Sequence, residues 1–151
     1  MMIRVTFTDT ELTELISAHI MLGVAMEQSG EDKQALCCKI TVGRLQSSLD
    51  SARAAKADVT RVTFTENELI EIAGALSAFG AAMENSPDQE AVNMTECCAR
   101  LAGKLQNARR NEHEAKATKK TGRPGDDFAG KAIAVSSLAV MGGILFALLA
   151  H

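Results

Sequence analysis

The segment Arg4-Val5-Thr6-Phe7-Thr8 recurs as Arg61-Val62-Thr63-Phe64-Thr65, and this identity decides how the rest of the chain is read. An internal repeat has to be recognised before any local assignment, because each copy then tests the reading of the other. The register holds without a gap through Glu11-Leu12 against Glu68-Leu69, Gly23 against Gly80, and Met26-Glu27 against Met83-Glu84. Beyond a spacer that is longer in the second copy, Cys37-Cys38 aligns with Cys97-Cys98, and Gly43-Arg44-Leu45-Gln46 with Gly103-Lys104-Leu105-Gln106.

A helix-start signature follows each repeated pentad. Thr8 with Glu11, and Thr65 with Glu68, form capping boxes: the threonine hydroxyl accepts from the third helical amide while the glutamate reaches back to the cap amide. Phe7 and Phe64 stand where a hydrophobic staple packs on Leu12 and Leu69. Helices are therefore predicted to start near residues 9 and 66. From there Leu12, Leu15, Ile16, His19, Ile20, Gly23 and Met26 recur at three- and four-residue steps, as do Leu69, Ile72, Ala73, Leu76, Gly80 and Met83. Gln28-Ser29-Gly30 and Asn85-Ser86-Pro87 are turn chemistry, with Pro87 suited to the first turn of the following helix. Cys38, Thr41, Leu45 and Leu49, and in the second copy Met94, Cys97, Cys98, Leu101, Leu105 and Ala108, mark a second helix in each copy.

The predicted fold class is all-α: tandem duplicated αα-hairpins in a four-helix bundle, followed by a C-terminal transmembrane helix. Val5 and Phe7, like Val62 and Phe64, alternate with Arg and Thr, a pattern that fits either two short β-strands or unpaired extended lead-ins. Strands there would pair across a pseudo-two-fold axis and leave Arg4, Thr6, Arg61 and Thr63 on the outer face. The organisation expected is a first hairpin repeat over 1–57, a second over 58–118, a linker over 119–127 and a membrane anchor over 128–151. The stretch 107–118, rich in Arg, Lys, Glu and Ala, is expected to carry the fourth helix beyond the core as a solvated arm.

The chain has no Trp or Tyr and five Phe, which favours helices over a sandwich or barrel. Its formal net charge of −3 is unevenly spread. Residues 1–107 carry nine Lys/Arg against fifteen Asp/Glu, whereas 108–131 carry seven against four. An acidic soluble part argues against a non-specific nucleic-acid surface. No basic region followed by an apolar run opens the chain, so no cleavable secretory signal is expected. Two adjacent cysteine pairs do not have the spacing of a secreted disulfide framework, and reduced thiols are expected.

Residues 132–150 carry no charge. As a helix they reach roughly 28 Å, against about 30 Å of bilayer hydrocarbon. A single membrane pass is the reading. Lys119, Lys120, Arg123 and Lys131 precede it and only His151 follows, so the hairpins are expected in the cytoplasm, in a tail-anchored arrangement. Ser136, Ala139, Gly143 and Ala147 continue a small-residue line from Ala132 to Ala150 that permits close approach of two membrane helices. The expected partners are the lipid bilayer and further copies of the chain.

Four thiolates gathered by pseudo-symmetry would suit zinc, but adjacent helical residues point about 100° apart and no C-x-x-C occurs, so buried apolar thiols are the expectation. His19 lies on an apolar face and its repeat partner is Leu76, which makes it a packing residue. Glu14 and Glu71, and Glu27 and Glu84, align but fall on polar faces. No Ser-His-Asp set and no phosphate-binding glycine loop is present. No catalytic residue, cofactor or metal site is expected, and the protein is read as not an enzyme.

The pattern Val-Thr-Phe-Thr-x-x-Glu-Leu, followed by a hairpin ending in Arg-Leu or Lys-Leu, resembles small uncharacterised helical-hairpin proteins of the bacteriophage type. That resemblance implies a phage or bacterial context. The alternating strand before two helices also resembles ribbon-helix-helix DNA-binding proteins, from which the chain departs in its long helices and acidic domain. The leading expectation is a non-enzymatic, membrane-anchored, self-associating structural or adaptor protein, such as a virion or genome-delivery component. A lysis or exclusion factor acting on the membrane is the alternative, and ribbon-helix-helix-like DNA binding a further one.

Overall fold

The computed structural model describes residues 1–121. The two repeated pentads pair with each other. Strand β1 (Met2–Thr8) leads into helices α1 (Asp9–Gln28) and α2 (Asp32–Ala54), and strand β2 (Val59–Thr65) leads into α3 (Glu66–Met83) and α4 (Gln89–Thr121). The strands form an antiparallel ribbon whose register places Val5 opposite Val62. Those are equivalent residues of the two copies, so a pseudo-two-fold axis passes between them. The chain is mostly helical with one small sheet, and the choice left open between strand and lead-in falls to strand.

Pairing is favoured because each strand buries a largely apolar side, with Thr60 of β2 as its polar member. Ile3, Val5, Phe7, Val62 and Phe64 are buried, while the intervening residues are exposed. Phe7 and Phe64 meet edge to face beneath the ribbon, centroids 6.3 Å apart, the arrangement that the aromatic quadrupole prefers. A two-stranded ribbon is marginal alone. Here it rests on helices, and Leu12, Leu15, Leu45, Leu69, Leu76, Leu101 and Leu105 complete the core under it.

Both capping boxes close. The Glu11 amide donates to Thr8 Oγ1 at 3.1 Å and the Thr8 amide to Glu11 Oε2 at 2.9 Å; in the second copy the distances are 3.2 Å and 2.6 Å. α2 ends with the Ala57 amide on the Ala52 carbonyl and the Lys56 amide on the Arg53 carbonyl, and Lys56 takes a φ of 52°. That is a Schellman ending with lysine where glycine is the unstrained choice. Pro87 lies before α4 rather than in its first turn, because Asp88 takes the capping role by accepting from the Glu90 amide at 3.1 Å.

Within each hairpin the two helices cross closely, and at equivalent points. A methyl group on Gly23 would lie 3.3 Å from Cys38 Cβ, and one on Gly80 would lie 3.3 Å from Cys98 Cβ. The repeated Gly and Cys are thus two sides of one contact. Two sequence expectations change. Ile20, assigned to the apolar face, is 51% exposed because it lies on the outer side of α1, away from the core. Cys37 is exposed, since only its neighbour Cys38 faces α1.

The stretch expected as a solvated arm is exposed from residue 114 to 120 but tied to α3 where it begins. Arg109 Nε and His113 Nε2 both reach Glu66 Oε1, at 2.9 Å and 2.5 Å, and the helix then runs on past 118 to Thr121. The expected anchor over 128–151, and most of the expected linker, lie outside the described residues. Among those described, no helix is long and apolar enough to cross a membrane.

Candidate functional site

The ribbon's outer face and its two edges gather the polar groups that the repeat duplicates. Alternation puts Met2, Arg4, Thr6 and Thr8 outward on β1, and Val59, Arg61, Thr63 and Thr65 outward on β2. Register sets Arg4 opposite Thr63 and Thr6 opposite Arg61, so the face carries one arginine on each side of the axis. These are the residues that the sequence placed outermost on condition of pairing.

Beneath the face, each phenylalanine is covered by a cation from the second helix of the other copy. Lys104 Nζ lies 5.4 Å from the Phe7 centroid and the Arg44 guanidinium carbon 5.1 Å from that of Phe64. The same cations bind the capping glutamates, Lys104 Nζ to Glu11 Oε2 at 2.6 Å and Arg44 to Glu68 Oε1 at 3.0 Å. Both bridges run between copies, from α4 to α1 and from α2 to α3. Each capping glutamate therefore starts its own helix and also clasps the other copy. Arg44 and Lys104 were not singled out in the sequence as functional positions, although a cation at the same place in both copies was the available signal.

The charges surrounding the ribbon are largely paired. For Glu11, burial pushes the carboxyl up, but the Lys104 and Thr8 hydrogen bonds outweigh it and hold the group below its usual range. Asp9 is held down by its hydrogen bonds to Arg53, at 2.7 Å and 2.9 Å. Glu66 is held down first by His113 and then by Arg109. Glu14, expected on a solvated face, pairs instead with Arg100 of the other copy, and Glu27 pairs with Lys39. Solvent screens such half-exposed pairs, so they bias the packing of the helices without holding it.

A groove follows each ribbon edge. The one between β1 and α4 has a volume of about 750 Å³ and is lined by Arg4, Thr6, Arg100, Gly103, Lys104 and Asn107 among others. Its counterpart between β2 and α2, about 520 Å³, is lined by Arg44, Ser47, Ser51, Val59 and Arg61 among others. Both are open clefts that suit a polar, extended ligand better than an enclosed small molecule.

The cysteines and His19 sit elsewhere. Burial, and after it the neighbouring Cys97, pushes the Cys98 thiol up to about 12, which leaves it protonated and inert. Cys97 and Cys38 are also raised, in each case by burial first. Among the described residues no group of three or more His, Cys, Asp or Glu is placed to hold a metal ion. His19 is buried, its Nδ1 3.0 Å from the Leu15 carbonyl, and burial lowers its pKa despite that bond. Ser136, Ala139, Gly143 and Ala147, singled out for association in the membrane, lie outside the described residues. Comparison with family models, with curated proteins and with solved structures finds no match to this chain.

Proposed function

We propose that this chain is a non-enzymatic adaptor, anchored in a membrane by residues 132–150 with its hairpins on the cytoplasmic side, and that it self-associates through the first hairpin. The observation that carries the reading is a break in the repeat. Ile20, Val24, Leu36 and Ile40 are 51%, 48%, 57% and 65% exposed, yet their counterparts in the second copy are Ser77, Ala81, Glu96 and Arg100. The scaffold accepts small or charged residues at these places, so the fold does not require large aliphatic ones. Exposed aliphatic clusters of this kind mark contact surfaces, and a second copy of the chain is the occupant that the membrane tail would bring alongside in the same orientation.

The test gives the first hairpin the residues of the second: Ile20→Ser, Val24→Ala, Leu36→Glu and Ile40→Arg together. Sedimentation of the full-length protein in mild detergent should show an oligomer for the parent and loss of it for the variant. A monomeric parent, or a variant that associates as the parent does, refutes the reading.

The dyad-related ribbon face favours a second reading, entry into the major groove of DNA, about 12 Å wide, with Arg4 and Arg61 on base edges or phosphates. Two phosphate contacts would change affinity only about tenfold between 50 and 200 mM salt. With an acidic domain behind it, this reading ranks below the adaptor. It requires salt-dependent binding that an Arg4→Ala, Arg61→Ala double variant loses.

A further inference from the structure

We propose that the outer edge of β1 is a docking site for an extended acidic peptide, which joins the ribbon as a third strand. The parity of the ribbon carries the argument. In an antiparallel pair, alternate residues exchange both backbone hydrogen bonds with the opposite strand, and the residues between them direct theirs outward. The Glu66 amide donates to the Met1 carbonyl at 3.3 Å, which makes that pair a bonded one. By alternation Ile3, Val5 and Phe7 bond to β2, and Arg4 and Thr6 turn their N–H and C=O groups away from it. The cap bond of the Thr8 amide to Glu11 agrees, because it too leaves the outer side of the strand. Among the described residues the outward amides and carbonyls of Arg4 and Thr6 have no partner.

These groups border the groove of about 750 Å³ shared with α4. A third strand would lie about 4.8 Å from β1, over the α4 surface at Ala99 and Gly103. Gly103 leaves that surface low: a Cβ built there meets nothing within 4 Å. Arg4, Arg100 and Lys104 line the groove with the one carboxylate of Glu112; Arg100 and Lys104 already pair with Glu14 and Glu11, so the charge left for a ligand is that of Arg4, which has no ion pair among the described residues. The occupant that matches is a β-strand with acidic side chains, held by backbone bonds and selected by charge. The β2 edge, lined by Arg61 and by Arg44, which pairs with Glu68, carries similar charge but offers less room, about 520 Å³.

The probe is a blocked eight-residue peptide alternating valine with glutamate, labelled for anisotropy and titrated into the full-length protein in detergent micelles. It should bind, and a version with lysine for glutamate should bind at least about tenfold more weakly. N-methylation of alternate backbone amides, made in both registers, should abolish binding in the register that faces β1. Gly103→Leu should fill the groove and weaken binding about tenfold or more, without loss of stability because leucine is the better helix former. Gly43→Leu, at the matching place in the first copy, should leave binding unchanged. Hydrogen exchange at the Arg4 and Thr6 amides should slow when the peptide is present. The proposal is overturned if the peptide shows no binding up to about 1 mM, if both N-methylated versions bind like the parent peptide, or if Gly103→Leu binds as well as the parent protein.

Discussion

Replacing His19 by leucine should stabilise the protein, and more so in acid. His19 is 3% exposed on α1, and the equivalent position of α3 holds Leu76, 1% exposed, so the pseudo-symmetric scaffold already accommodates leucine there. Burying a leucine side chain is worth about 1.5–3 kcal/mol. Against it stands the loss of the bond from the imidazole to the Leu15 carbonyl, about 0.5–1.5 kcal/mol. A net gain of about 1 kcal/mol is expected at neutral pH. The acid effect follows from linkage: burial lowers the His19 pKa below its ordinary value of 6.5, so the unfolded chain binds the proton more tightly. The stability that neutral His19 contributes is present above the unfolded value and is lost as pH falls below it, by at most about 1.4 kcal/mol per pH unit. His19→Leu removes that loss. Urea melts of parent and variant at pH 8, 7, 6 and 5 should show a gap that widens below pH 6.5, with the carboxylates common to both cancelling in the difference. A variant less stable than the parent at pH 8, or a gap that stays constant from pH 7 to pH 5, refutes the reasoning.

Thr8→Ala and Thr65→Ala should each destabilise by about 0.5–2 kcal/mol in denaturant melts, and by similar amounts, since the two caps have the same geometry; neutrality of both would mean the boxes contribute nothing. Lys56→Gly should stabilise by about 0.5–1 kcal/mol in the same assay, because glycine relieves the positive φ at the end of α2. Gly80→Ile should cost about 1–3 kcal/mol or more by driving a branched side chain into Cys98 and Thr95, whereas Gly43→Ile, with open space around it, should be neutral or stabilising; equal effects would dismiss the close crossing. On the proposal that residues 132–150 form a membrane helix, Gly143→Ile should abolish crosslinking between copies through it and Gly142→Ile, about 100° around such a helix, should not; if both variants associate like the parent, association depends on the hairpins alone.

What the sequence determined by itself is the set of features that neighbouring residues enforce on one another. The helix starts at Asp9 and Glu66 were legible because a Thr-x-x-Glu box closes within one turn, and the hairpins because glycine and proline turns interrupt two apolar periodicities. The outer position of Arg4, Thr6, Arg61 and Thr63 was legible too, conditional on pairing, because side chains alternate along any strand. The rest was settled by tertiary structure. Alternation of side chains does not say which backbone groups a strand turns toward its neighbour, so only the observed register and the Glu66–Met1 bond leave the edge of Arg4 and Thr6 open. Nor could periodicity pair Glu11 with Lys104 or Glu68 with Arg44, contacts that cross from one copy to the other and form only once the ribbon has brought the two hairpins together. Ile20 shows the same limit from the other side: a three- and four-residue rhythm identifies a helix and its apolar residues, but which of them meet the core depends on the direction in which the next helix packs.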